Sequence, residues 1–116
     1  MSNSIVYAVC QPQTKMVDGR TRNFDLSPAL KFGALEILVP HTQSLLAPVI
    51  TVRNLRDKLR NFSDDDYILP IGDPSLIATV AMVASEMNHG KVKFLKWDKY
   101  ANDYFTVSVD ISGASQ

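Results

Sequence analysis

The residues best placed to do chemistry in this chain are Gly72-Asp73-Pro74-Ser75, which separate the apolar run Tyr67 to Ile71 from an uncharged stretch beginning at Pro74. Backbone amides at a helix N-terminus bind anions, and a glycine just ahead of them lets a phosphate come close. The same four residues also read as plain punctuation. Asp followed by Pro is a favoured helix start, the carboxylate accepting first-turn amides and the proline giving up a donor that has no partner there. There is no GxGxxG and no GxxxxGK[ST], Pro74 removes an amide, and Asp73 puts negative charge where a phosphate would lie. Capping is the stronger reading. Ligand contact through Gly72, Asp73 and Ser75, in a small Rossmann-like nucleotide or phosphate site, is the weaker.

A second set, His41, Asp73 and Asp98, is expected at the carboxyl ends of strands, where open α/β sheets place ligands. One histidine and two carboxylates would hold magnesium or run acid-base chemistry if they converged. Each also has an ordinary role: His41 follows the strand-ending Pro40, Asp73 caps a helix, and Asp98 opens a hairpin turn. His89, beside Gly90, suits the negative end of a helix dipole. No nucleophile, base and orienting partner can be assembled from these residues. The reading leans away from an enzyme, with no catalytic residue, no cofactor and no metal centre.

Two further groups suit binding rather than chemistry. Arg53, Arg56 and Arg60 recur at three- and four-residue steps and share one helix flank, joined by Lys58 and the loop residues Arg20 and Arg22. Such a row can track phosphates, meet an acidic protein, or be merely solvated, with Asp64 to Asp66 near enough to neutralise it. Trp97, Tyr100, Tyr104 and Phe105 lie in a C-terminal hairpin with Lys91, Lys93, Lys96 and Lys99. They read as partner anchors, or else as core aromatics with lysines guarding a sheet edge.

The elements that must position these groups follow from periodicity. Ser4 to Val9 is a strand by its β-branched and aromatic content, and 11–23 is a turn or mobile loop centred on Asp18-Gly19. Ser27-Pro28 opens a short helix to Phe32, with Ser27 as cap; Gly33 stops it, and Ala34 to Val39 is a strand. Val49 to Phe62 is a helix with Val52, Leu55, Leu59 and Phe62 on one face. Tyr67 to Ile71 is a strand. Pro74 to about Asn88 is a largely buried helix, its Ala78, Ala81 and Ala84 allowing close approach to a sheet, and Gly90 ends it in a left-handed conformation. Val92 to Trp97 and Tyr104 to Ile111 form the closing hairpin, the latter with Phe105, Val107, Val109 and Ile111 on its dry face. The fold class is therefore α/β: a small sandwich in the order β-β-α-β-α-β-β, its mixed sheet parallel at 35–39, 67–71 and 92–97 with 104–111 antiparallel at an edge. Right-handed crossovers put the helices on one face if strand order is sequential and on two if it reverses.

Composition bounds the function classes. A length of 116 residues with 46% hydrophobic and 21% charged residues suits one globular domain spanning 1–116, with 112–116 as a tail. Twelve basic residues balance twelve acidic ones, so no global field draws the protein to nucleic acid or an anionic membrane. Cys10 alone cannot form an internal disulfide, and no basic leader or run of roughly 20 apolar residues is present. These features read as cytoplasmic.

The run Asp65-Asp66-Tyr67-Ile68-Leu69-Pro70-Ile71-Gly72-Asp73-Pro74, the helix after it and Lys93-Phe94-Leu95-Lys96-Trp97-Asp98 resemble small proteins of unassigned function encoded in tailed-phage genomes. Phe24 to Gly33 resembles the upstream part of the same pattern, so the likeness spans about Phe24 to Ile111. It implies expression inside an infected bacterium and carries over no site residues. The expectation is an accessory protein that binds a host or phage protein, with a homo-oligomer as one form it can take. The alternatives are a nucleotide or phosphate site at Gly72 to Ser75, and a weak nucleic-acid binder using the arginine row.

Overall fold

Ile5–Cys10 (β1) is the strand on which the architecture is built, and five of its six residues are buried. The computed structural model describes residues 3–11, 15–17, 20–22, 26–39 and 47–113. Lys15–Val17 (β2) and Arg20–Arg22 (β3) pair antiparallel, so the region expected to be loop contains a two-stranded ribbon. A 3-10 turn, Ser27–Lys31, leads to Ala34–Val39 (β4). Pro48–Lys58 (α1), Tyr67–Leu69 (β5), Pro74–Met87 (α2), Lys91–Asp98 (β6) and Asp103–Asp110 (β7) follow. Ser27 falls inside the 3-10 turn and Leu26 takes the cap position that had been expected of Ser27.

Among these residues five strands form one mixed sheet in the order β4-β1-β5-β6-β7. The first four are parallel and β7 returns antiparallel along β6, as expected for the closing hairpin. Strand order reverses once, because β1 leads to β4 on one side while the chain then moves steadily the other way. A uniform crossover hand requires the β1-to-β4 connection to run over the opposite face from α1 and α2. The packing agrees. α1 stops at Lys58, short of the expected Phe62; its Leu55, with Leu59 and Phe62 just beyond it, joins Leu76, Val80, Val83 and Ala84 of α2 over Tyr7, Val9, Ile68 and Val92. Ala29 of the 3-10 turn covers Val6, Ala8, Leu69 and Leu95 on the other face, with Leu26 and Phe32 beside it.

Two close contacts set the position of β1. Gly33 is needed because a Cβ there would lie 2.4 Å from the Ser4 carbonyl oxygen, beside the hydrogen bond from the Ala34 amide to that oxygen. Asp66, expected in a solvated acidic loop with Asp64 and Asp65, is instead buried. Its carboxylate accepts the Ile5 amide at 3.0 Å, the Ser63 amide at 2.9 Å and the Ser63 hydroxyl at 3.3 Å. One side chain thus ties the start of β1 to the turn that launches β5. Asp66→Ala leaves two amides without these acceptors and should destabilise the fold by about 2 kcal/mol or more, read as a lower urea midpoint at unchanged slope.

Candidate functional site

The turn after β5 is built for closure. Asp73 stands at the cap of α2, and its Oδ2 accepts the amides of Ser75 (3.1 Å) and Leu76 (3.2 Å) as well as the Ser75 hydroxyl. The Ser75 and Leu76 hydrogen bonds hold the Asp73 carboxyl below its ordinary value. The amides an anion would use are therefore already bound to a carboxylate. Gly72 has φ +123°, and a Cβ there would sit 2.6 Å from Cys10 Sγ and 3.0 Å from Cys10 Cβ. The Cys10 amide donates to the Ile71 carbonyl at 3.1 Å. The carboxyl ends of β1 and β5, where strand order reverses and a crevice would open, are thus closed by direct contact.

The other expected members do not complete a site there. Asp98 Oδ1 accepts the amides of Tyr100 (2.9 Å) and Ala101 (3.3 Å), which makes it the organiser of the β6-β7 turn. His41 lies outside the described residues. No cluster of three His, Cys, Asp or Glu able to hold a metal is found among the described residues. His89, φ +55°, and Gly90, φ +87°, turn the chain out of α2, and the Gly90 amide donates to the Ser85 carbonyl at 2.8 Å. Tyr7 is a buried titratable group that sequence reading did not single out. Its ring lies 5.9 Å from that of Phe62, and burial, then Asp66 and Glu36, raise its phenol above the ordinary value.

Arg53 and Arg56 lie on α1, while Arg60, expected on the same helix flank, falls in the turn beyond its end at Lys58. Arg56 pairs with Glu86 at 3.2 Å and Arg60 with Asp57 at 3.8 Å, all of them well exposed. Arg53 has no ion pair among the described residues. The expected neutralisers lie elsewhere: Asp66 is buried at β1, and Asp64 accepts from Asn88 Nδ2 at 2.9 Å. Lys58 leaves the row to donate to the Leu38 carbonyl on β4. Exposed pairs of this kind contribute little to stability and leave a weak field.

In the hairpin the four aromatics separate. Tyr104 is buried and meets Trp97 edge-on at 4.9 Å, Trp97 being 39% exposed. Tyr100 is 90% exposed at the turn, and Phe105 is half exposed on the opposite face. Lys91, Lys93 and Lys96 lie on β6, inside the sheet, so they do not guard its edge; Lys93 sits 4.3 Å from the Tyr67 ring centroid. β7 is the edge on this side of the sheet, β4 being the other, and β7 contains no Lys, Arg, Pro or Gly.

Among the described residues, two of the concavities that lie where no site was expected adjoin the hairpin. One of about 390 Å³ lies at the amino end of the parallel strands, lined by Ser63, Asp64, Asn88, Lys91, Lys93 and Asp110. Within it Asn88 Nδ2 bridges Asp64 and the Lys91 carbonyl, and Asp110 Oδ1 accepts from Ser112 outside it. The other is an apolar groove of about 290 Å³ between α2 and the hairpin, with Met82, Phe94, Val109 and Ile111 in its walls. Met82 is 65% exposed and Ile111 75%. α2 was expected to be largely buried, but it inserts Leu76, Val80, Val83 and Ala84 and leaves Ala78 and Met82 outside. The alternation of β7 marks Phe105, Val107, Val109 and Ile111 as a dry face, but Phe105, Val109 and Ile111 are exposed.

Residues 4–111 match the family model described as Phage Pam3 gp32-like protein. No curated protein and no solved structure gives a match.

The turn after β5 yields two tests. Asp73→Ala should lower the melting temperature by a few degrees without altering any ligand response. Because the folded-state carboxyl is held low, that contribution is complete above the ordinary carboxylate range and fades as pH falls through it. The wild-type and Asp73→Ala melting curves should therefore converge in acid. Gly72→Ala should cost about 2 kcal/mol from positive-φ strain and the Cys10 clash, with Cys10→Ala recovering only part in denaturant titrations.

Proposed function

The chain belongs to the Phage Pam3 gp32-like family, and from that premise we propose that it is a non-enzymatic accessory protein acting by protein association, with the outer edge of β7 as the contact. One observation carries the reading. β7 is an eight-residue edge strand of high β propensity, without the lysines, proline or bulge by which soluble proteins discourage strand addition. An added strand would gain main-chain hydrogen bonds from the edge and specificity from pockets beside it.

The direction of those bonds follows from the chain. The Ile111 amide donates to the Gly90 carbonyl at 2.9 Å, which makes that pair a hydrogen-bonded one. Alternation along an antiparallel ladder then turns the amides and carbonyls of Val109, Val107 and Phe105 inward to β6, and those of Thr106 and Ser108 outward. The groove beside Val109 supplies an apolar pocket on the same edge. The arginine row, two of its three members already paired, is the poorer contact. Soluble partners of a phage protein would meet this edge in an infected cell. Among the described residues no helix is long and apolar enough to cross a membrane.

Thr106→Pro removes an outward amide and leaves the β6 ladder intact, a position where edge strands tolerate proline. In a tagged pull-down from expressing or infected bacteria, it should cut recovery of the bound protein by about tenfold or more, at unchanged melting temperature and in the presence of nuclease. Neutralising Arg53, Arg56 and Arg60 together should leave recovery unchanged. The opposite pattern would discard the edge as the contact.

A further inference from the structure

We infer that the strand received by β7 is the β7 of a second copy, so that two sheets join across a two-fold axis; the inference rests on the edge being the contact. Hydrogen-bond direction narrows the geometry before any side chain is considered. Only residues with outward main-chain groups can face one another in hydrogen-bonded pairs, so Tyr104, Thr106, Ser108 and Asp110 must meet members of that same set. That parity keeps each side chain opposite one from the same face. The axis is then perpendicular to the sheet, and both copies carry their helices on the same side.

Within that set one register fits the side chains. With Val107 facing its own copy on the axis, Phe105 lies opposite Val109 of the other copy, and Thr106 opposite Ser108. Apolar meets apolar on the helix side and hydroxyl meets hydroxyl on the other. Asp103 and Asp110, the charged residues of β7, face Ile111 and Tyr104 rather than each other. Shifting by one step in one direction would set Asp103 against Val109 at the mouth of the groove. Shifting the other way would carry Phe105 past the end of β7, opposite Ile111, and set Thr106 against Asp110.

The groove supplies the argument for a second copy over another protein. It lies between Met82 and Val109, and in this register the half-exposed Phe105 ring of the other copy arrives beside Val109. Each copy would therefore offer the aromatic that covers the other's groove, as a self-complementary interface requires. The chain has no net charge, so nothing global opposes the encounter.

Sedimentation of the full chain should show a dimer, reduced to monomer by Thr106→Pro and by Thr106→Lys. Val107→Cys should form a disulfide-linked dimer on mild oxidation, since facing residues of a pair not hydrogen-bonded lie about 4.5 Å apart at Cα. The wild-type chain, whose Cys10 is buried, should not. Cross-linking through Thr106→Cys or Ser108→Cys in place of Val107→Cys would overturn the register. A monomer at tens of micromolar that fails to cross-link would overturn the second copy as occupant. If Thr106→Pro still abolished capture of a different protein, the edge would stand as the contact; if capture were unchanged, both readings would fall together.

Discussion

The structure depends on covering β1 on both faces. Five consecutive buried residues, Val6 to Cys10, sit between parallel neighbours, and a parallel sheet is stable only with apolar layers above and below. The chain meets this with limited material. Two helices lie on one face and a five-residue 3-10 turn on the other, and both layers are centred over β1 and β5. Cover thins with distance from that centre, so that β7, with Tyr104 as its one buried residue, is mostly wet. The open groove beside α2 is the same shortage seen from above.

That centring also explains why the carboxyl end of the sheet is not a pocket. A ligand crevice at a strand-order reversal needs the two loops to diverge, but here the chain after β5 turns back against the end of β1. Gly72 lies against Cys10 so closely that a single methyl would collide, and the Ile71 carbonyl is held by the Cys10 amide. With Asp73 bound to Ser75 and Leu76, the Gly-Asp-Pro-Ser segment is consumed by making a strand and a helix meet at a short turn. Residues that look reactive in sequence are here the fittings of a tight βα junction.

Much of the fold was legible because each element carries a local signal. The shared burial of Leu55, Leu59 and Phe62, the Asp-Pro start of α2, the Gly90 stop and the closing hairpin reappear where expected, whereas the helix stops at Lys58 and the alternation of β7 misassigns its buried face. What was not legible depended on partners far apart in sequence. Asp66 reads as one of three solvated acids until Ile5, 61 positions away, brings its amide. Trp97 and Tyr104 look equivalent as aromatics and face each other across the hairpin, yet only Tyr104 is buried. The position of the lysines on β6 likewise follows from strand order, which no local pattern encodes. One global inference was within reach: two helices and a short turn cannot cover five strands, and the deficit falls on the strand added last.

The outer edge is moreover not uniformly open. Asp103 Oδ1 accepts the Tyr104 amide at 2.8 Å, while its other oxygen holds Lys31 of the 3-10 turn. The Lys31 hydrogen bond, with the Tyr104 amide, keeps that carboxyl below its ordinary value. Lys31 thereby ties the layer over β1 to the first residue of β7. At the other end the Asp110 carboxylate turns onto the Ser112 amide, where the strand gives way to the turn that follows. Between these two local closures lie Thr106 and Ser108, whose main-chain groups point outward with no strand beyond them among the described residues. An edge closed at both ends and open in the middle admits a short, centred strand more readily than a long one that could slide. That restriction would give a surface with no charged guard a defined register, and limit it to a closed pair instead of an open-ended stack.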